Sequence, residues 1–124
     1  MAGLNVDFDA TDLAAQIEKL TQAELNVLRF GVMLIGDDGT VRFYSETEAQ
    51  LSGYKESAVG LNLYEFCERF GGPNFRGRIE EAAAQGTVNL EFGWKGDYGD
   101  PKRDLRIRVE SARGGGLWIF VDRD

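Results

Sequence analysis

The chain has 124 residues, one domain's worth, and 43% of them are apolar, with 8 Phe, 4 Tyr and 2 Trp available for a core. Its net charge of −7 argues against nucleic acid and against anionic membrane surfaces, since both need clustered Lys and Arg. The lack of histidine excludes Ser-His and Cys-His catalysis and His-ligated haem or zinc, and the single cysteine, Cys67, excludes an internal disulfide and a Cys-cluster metal site.

No apolar run approaches the roughly 20 residues of a membrane span. The opening residues 1–5 lack the basic-then-hydrophobic pattern of a signal peptide, so a cytoplasmic protein is expected. Leu13, Ile17 and Leu20 recur at helical spacing, with Asp9 or Thr11 as candidate caps. Thr21 and Glu24 form a capping-box pattern that opens a second short helix carrying Leu25 and Leu28. Residues 30–35 read as a buried strand, Asp38-Gly39 as a hairpin turn, and residues 40–44 as the return strand.

The middle of the chain reads as broken helix. Ser45 can cap a helix over residues 46–51 that Gly53 ends, and residues 56–59 and 63–66 read as single helical turns around Gly60. Pro73 suits a first helical position, and residues 74–85 place Phe75, Ile79 and Ala82 on one face before Gly86. The last third reads as three strands, over residues 87–94, 105–109 and 117–121, joined by a loop at residues 96–101 and a glycine turn at residues 114–116. Leu105, Ile107 and Val109 alternate with Arg106 and Arg108, whose simplest place is the solvent face, unless the N-terminal helices cover that face. The aromatic residues Phe66, Phe70, Phe75, Phe92, Trp94, Trp118 and Phe120 can fill the core or line a small-molecule cavity.

The order is a helical cap, a hairpin, several short helices, then three strands. It predicts an α+β domain of the PAS type, with a five-stranded antiparallel sheet, short helices on one face and an N-terminal helical cap. The expected parts are a cap at residues 1–28 and a PAS core at residues 29–124, within one domain. A ketosteroid-isomerase-like cone is the rival fold, and the early hairpin at residues 30–44 speaks against it.

The segments at residues 28–34, 37–39, 44–53, 60–64 and 73–77, with Asp97-Tyr98 and residues 118–121, keep the order and spacing of a known family. The chain resembles the photoactive yellow protein family of PAS domains along nearly its whole length. That family carries a p-coumaroyl (4-hydroxycinnamoyl) chromophore as a thioester on a cysteine. A tyrosine and a glutamic acid hold its phenolate, a hydroxyl residue supports the tyrosine, and an arginine covers the pocket. The resemblance assigns the tyrosine to Tyr44, the acid to Glu48 and the supporting hydroxyl to Ser52, while Tyr54 stands where the arginine falls. The family's cysteine falls opposite Phe70 counted from Asn62, or Arg69 counted from Pro73, and Cys67 is the thiol at hand.

Tyr44 and Glu48 are four residues apart and can face one cavity if the chain is helical from Ser45. A buried carboxyl favours its neutral form, so Glu48 could donate a hydrogen bond to a phenolate beside Tyr44. Proton loss after photoisomerisation would then leave a buried carboxylate that loosens the domain. The plain alternative is a strand-end Tyr44 and an exposed Glu48. For Cys67 the alternatives are a small buried hydrophobe, a thioester anchor, or a haem-thiolate or redox site. The flavin-binding pattern of LOV domains is not met at residues 60–63.

The expectation is a bacterial-type, cytoplasmic sensory module without catalytic activity. With no output domain fused, it would signal through a protein partner or through self-association as a homodimer, without nucleic acid or membrane. The alternatives are a blue-light receptor with p-coumaric acid on Cys67, a ligand-free interaction adaptor, and, with least support, an isomerase using Tyr44 and Glu48 for proton abstraction.

Overall fold

The computed structural model describes residues 6–67 and 70–123. The expectations for residues 1–5 and for Arg69 lie outside the described residues. The elements are α1 (Leu13–Ile17), α2 (Gln22–Asn26), β1 (Gly31–Ile35), β2 (Val41–Tyr44), α3 (Glu46–Ser52), α4 (Leu63–Phe66), a π-helical segment (Pro73–Gly77) continuous with α5 (Arg78–Ala84), β3 (Asn89–Lys95), β4 (Asp104–Ser111) and β5 (Leu117–Arg123). They form one antiparallel sheet in the order β2-β1-β5-β4-β3. Among the described residues no helix is long and apolar enough to cross a membrane.

Local signals explain most of these elements. The Thr21–Glu24 capping box forms in full, and Ser45 accepts the backbone N–H of Glu48 at the start of α3. Asn62 caps α4 through the N–H of Tyr64. Four expectations change. Neither Asp9 nor Thr11 caps α1. Its N-cap is Asp12, without a side-chain cap bond, and Asp9 pairs instead with Arg106. Residues 56–59 are not helical: they run into a turn closed by Leu61 N on Ala58 O, which Val41 fastens through Leu61 O and the Gly60 N–H. The helix expected over residues 74–85 begins as a π-helical turn behind Pro73. Strand β5 runs two residues past the expected end at Val121, which brings Arg123 into the sheet.

The sheet is buried on both faces. Met33, Ile35, Leu105, Ile107, Val109, Ile119 and Val121 face the core beneath α4 and α5, with Leu63, Phe70, Phe75 and Ile79 above them. Phe30, Val32, Trp118 and Phe120 face a second core built with Phe8, Leu13, Ile17, Leu25 and Leu28 of the N-terminal segment. An irregularity in the β1–β2 register lets Val41 and Tyr44, an odd number of residues apart, both pack on the first core.

Arg108 is accordingly not on a solvent face. It is 6% exposed, and its guanidinium donates to Phe8 O at 2.7 Å, Ala10 O at 2.6 Å and Glu110 Oε2 at 2.7 Å. The reading in which the N-terminal helices cover this face is the observed one. Arg106 is half-exposed, pairs with Asp9, Glu91 and Asp122, and lies over the Phe8 ring. Replacing Arg108 by Met orphans two backbone carbonyls and a buried carboxylate, so a loss of about 3–5 kcal/mol is expected in urea denaturation. Arg106→Met removes mostly screened contacts and should cost about 1 kcal/mol or less. Equal losses for the two variants would contradict this division.

Candidate functional site

The site is built where α3 lies against the ends of β1, β2 and β5. The Ser45 hydroxyl accepts from both Glu48 N and Val32 N, each at 3.1 Å, which pins the first turn of α3 to β1. Helical spacing then turns Glu48 and Ser52 inward, and both are buried, at 3% and 4% exposure. The exposed alternative for Glu48 is not the arrangement found. Helix α3 ends on Gly53 in the left-handed conformation (φ 95°), where the loop after β3 docks: Gly99 N donates to Ser52 O at 2.7 Å. A Cβ on Gly53 would lie 3.0 Å from Gly99 Cα, so the two segments meet backbone to backbone.

Tyr44 and Ser52 are brought together, as the resemblance implies. The Tyr44 hydroxyl lies 3.0 Å from Ser52 Oγ and donates to the carbonyl of Tyr54 at 3.0 Å. Its single proton being used there, Ser52 is the donor in the Tyr44–Ser52 contact. Burial holds the Tyr44 phenol well above its ordinary value, opposed by the Ser52 hydrogen bond and reinforced by the charge of Glu48.

The partner of Glu48 comes from the far end of the chain. Arg123 donates Nη1 to Glu48 Oε1 and Nη2 to Oε2, each at 2.9 Å, a bidentate fork. The same guanidinium donates to Asp97, with Nε at 2.5 Å from Oδ2 and Nη2 at 3.0 Å from Oδ1. Arg103 adds a longer contact to Asp97 Oδ2 at 3.4 Å and donates to Leu51 O at 2.8 Å. The side chains of Glu48, Asp97 and Arg123 are only 2–3% exposed, so two carboxylates share one guanidinium out of water, with the more exposed Arg103 as the second cation. Burial alone would lower the Arg123 guanidinium, but the hydrogen bonds and charge of Glu48, then of Asp97, hold it above its ordinary value. Gly31 makes the room: a Cβ there would sit 1.8 Å from Glu48 Oε1.

Cys67 lies in the first core, 2% exposed, just after α4, and its N–H donates to Leu63 O at 3.3 Å. Tyr44 packs on that same core, and the adjoining rings run Tyr44–Tyr54–Phe66, with centroid separations of 6.3 and 5.1 Å, and on to Tyr98. Phe70, opposite the family's cysteine when counted from Asn62, stacks on Phe75 at 4.2 Å. Phe75 also meets Phe92 and Trp94 edge-on, so these rings fill the core. Sequence reasoning missed Arg123, Asp97 and Arg103. The available signal was parity, because Arg123 continues the inward series Ile119, Val121.

With this geometry in place, comparison with known proteins is direct. Photoactive yellow protein of Rhodothalassium salexigens is 26% identical over 121 residues, covering 95% of this chain and 97% of that one. Photoactive yellow protein of Halochromatium salexigens is 27% identical over 123 residues, with the same coverage. The crystal structure of the photoactive yellow protein domain from the sensor histidine kinase Ppr of Rhodospirillum centenum superposes with a TM-score of 0.78 at 26% identity, covering 89% of this chain and 99% of that one. A PAS domain from a two-component sensor histidine kinase gives a TM-score of 0.60 at 12% identity over 89% of this chain and 99% of that one, a likeness of fold. No protein-family model matches the chain. The five-stranded sheet and its short helices give this chain the PAS fold. Within that class it resembles photoactive yellow protein.

A p-coumaroyl phenolate would ask Tyr44 and Glu48 for protons. In this arrangement neither has one to give: the Tyr44 proton goes to Tyr54 O, and both Glu48 oxygens accept from Arg123. Both Glu48 oxygens act as acceptors here, where a donor is expected from the sequence. The residues as placed do not fit that group.

Two outcomes follow from the site. Arg123→Met leaves Glu48 and Asp97 buried without their shared cation and should cost about 3–5 kcal/mol in urea denaturation, whereas a loss under about 1 kcal/mol would mean the carboxylates reach water. Tyr44 keeps its proton to higher pH in the folded chain than in the unfolded one, so its contribution is complete below its ordinary value of 10.0 and is lost as pH rises through the folded value. Denaturation midpoints between about pH 9 and pH 11 should therefore fall, and fall less steeply in Tyr44→Phe.

Proposed function

We propose that this protein is a PAS-type sensory module that signals by contact with another protein or with a second copy of itself, without catalytic activity and without a bound pigment. The observation that carries the reading is the Arg123 fork on Glu48, together with the Tyr44 proton held by Tyr54 O: the groups that would serve a phenolate are held by Arg123 and by a backbone carbonyl instead. The same pairing counts against proton abstraction by Glu48, since a base tied to a guanidinium and shielded from water has no substrate proton in reach. Contact signalling is supported by the surface beside the site, where Leu51 and Tyr98 are 40% and 42% exposed on the two segments that the charge network joins. The cytoplasm is the compartment that suits a single cysteine.

The second reading is a blue-light receptor with a p-coumaroyl thioester on Cys67. It is favoured by the burial of Cys67 in the core on which Tyr44 packs. Incubation with activated p-coumaric acid, read by intact mass and visible spectrum together, separates the two. The expected result is no adduct, or an adduct absorbing like a free thioester. One adduct on Cys67 with a strongly red-shifted band, abolished in Cys67→Ala, would make the receptor reading the correct one.

A further inference from the structure

A second feature lies away from the Tyr44–Glu48 site. Helix α5 stands off the sheet beside the turns at Gly36 and Gly115-Gly116, leaving a cleft of about 450 Å³. That volume falls in the range of roughly 300–1,000 Å³ typical of small-molecule sites. None of Tyr44, Glu48, Ser52 or Cys67 lines it. Ile35, Ile79 and Val88, each 1–2% exposed, form its floor, with Leu117 beside them. The floor is therefore part of the fixed core, not a surface that must rearrange.

The rim is polar and of one sign. Asp37 from the β1–β2 turn and Glu80 from α5 are the charged residues that line it, among the described residues, with the hydroxyls of Tyr64 and Ser111 as its neutral polar groups. Arg76 holds Glu80 Oε2 at 3.0 Å from outside, and Arg42 lies against Gly36; neither lines the cleft. Burial raises the Tyr64 phenol to about 12, so its hydroxyl stays protonated at neutral pH. An occupant with an apolar body for the floor and a cationic group would meet Asp37, and Glu80 beside its pairing with Arg76. A carboxylate or phosphate in the same place would face like charge.

We infer that the cleft between α5 and the ends of β1 and β5 is a binding site for a small organic amine, with its aromatic or branched aliphatic body on Ile79, Val88 and Leu117 and its ammonium group between Asp37 and Glu80. The site is independent of whether the Tyr44 region takes a pigment, so failure of one idea leaves the other standing.

The test uses the whole chain with 2-phenylethylammonium as probe and 3-phenylpropanoate as control, which keep the same ring on a short chain and reverse the charge. Methyl NMR shifts of Ile79, Ala83, Val88 and Leu117 report occupancy at the site itself. Saturable shifts with the amine are expected, with the acid at least about tenfold weaker and Glu80→Gln lowering amine affinity about threefold. Ala83 is an exposed position of α5 that lines the cleft, so Ala83→Phe fills the space while leaving the core intact and should abolish the shifts. The inference is overturned by absence of saturation up to about 10 mM amine, by equal binding of amine and acid, or by undiminished binding in Ala83→Phe.

Discussion

Arg123 is the residue on which the functional end of this domain is organised. It stands on the last strand and bridges two acids from distant segments, Glu48 on α3 and Asp97 in the loop after β3. Each partner is nearly free of water, so each depends on the others for compensation of its charge. Such a network adds little net stability over an apolar core of the same shape, because desolvation consumes most of the Coulomb gain. Its strength is in what it forbids. A one-residue slip of β5 would turn Arg123 to the opposite face, where Phe30 and Phe120 pack, and leave Glu48 buried without its cation and Asp97 with only the longer Arg103 contact. The ion pairs therefore fix the register of the terminal strand. Gly31 and the Gly53–Gly99 contact are the steric conditions under which the three segments can come close enough.

The opposite face of the sheet uses the same device for a different end. Arg108 is buried, but its donors go mainly to the carbonyls of Phe8 and Ala10, so it satisfies the backbone of the N-terminal segment as well as pairing with Glu110. Glu18 acts alongside, accepting from Trp118 Nε1 at 2.9 Å and from Arg113 N at 2.8 Å. Apolar contact between Phe8, Leu13, Ile17 and the sheet supplies the gain from burial, and the polar bonds set the position. The domain thus has two cores separated by one sheet, with an arginine orienting a covering segment on each side.

Much of this was legible in the chain, for reasons that can be named. Local chemistry acts over three or four residues, so the capping box at Thr21, the Ser45 cap and the Gly53 terminus were readable from spacing alone. Alternation placed Leu105, Ile107 and Val109 on one face correctly. Alternation cannot say what covers the other face, so Arg108 read as solvent-facing until the Phe8 segment was seen upon it. Residues 56–59 show the same limit: they lead into the turn at Ala58–Leu61, which Val41, far off in the chain, fastens through Gly60 and Leu61. At the site, the Tyr44–Ser52 contact spans eight residues and could be anticipated from resemblance, whereas the Glu48–Arg123 pair spans 75 and could not. Arg123 also lay beyond the expected end of its strand, so its inward parity went unused.

The gap between fold and function in this chain comes down to what is asked of one carboxyl group. To hold a phenolate, Glu48 must bear a proton and donate it. To hold Arg123, it must be ionised and accept two N–H groups at once. One side chain cannot do both. Two neighbouring rings are engaged as well: Tyr54, which the resemblance sets where an arginine falls, packs on Tyr44, and Phe70, opposite the family's cysteine when counted from Asn62, stacks on Phe75. Likeness across the whole chain therefore carries the fold, while the polar geometry of the site is set by Arg123 and the two acids it joins.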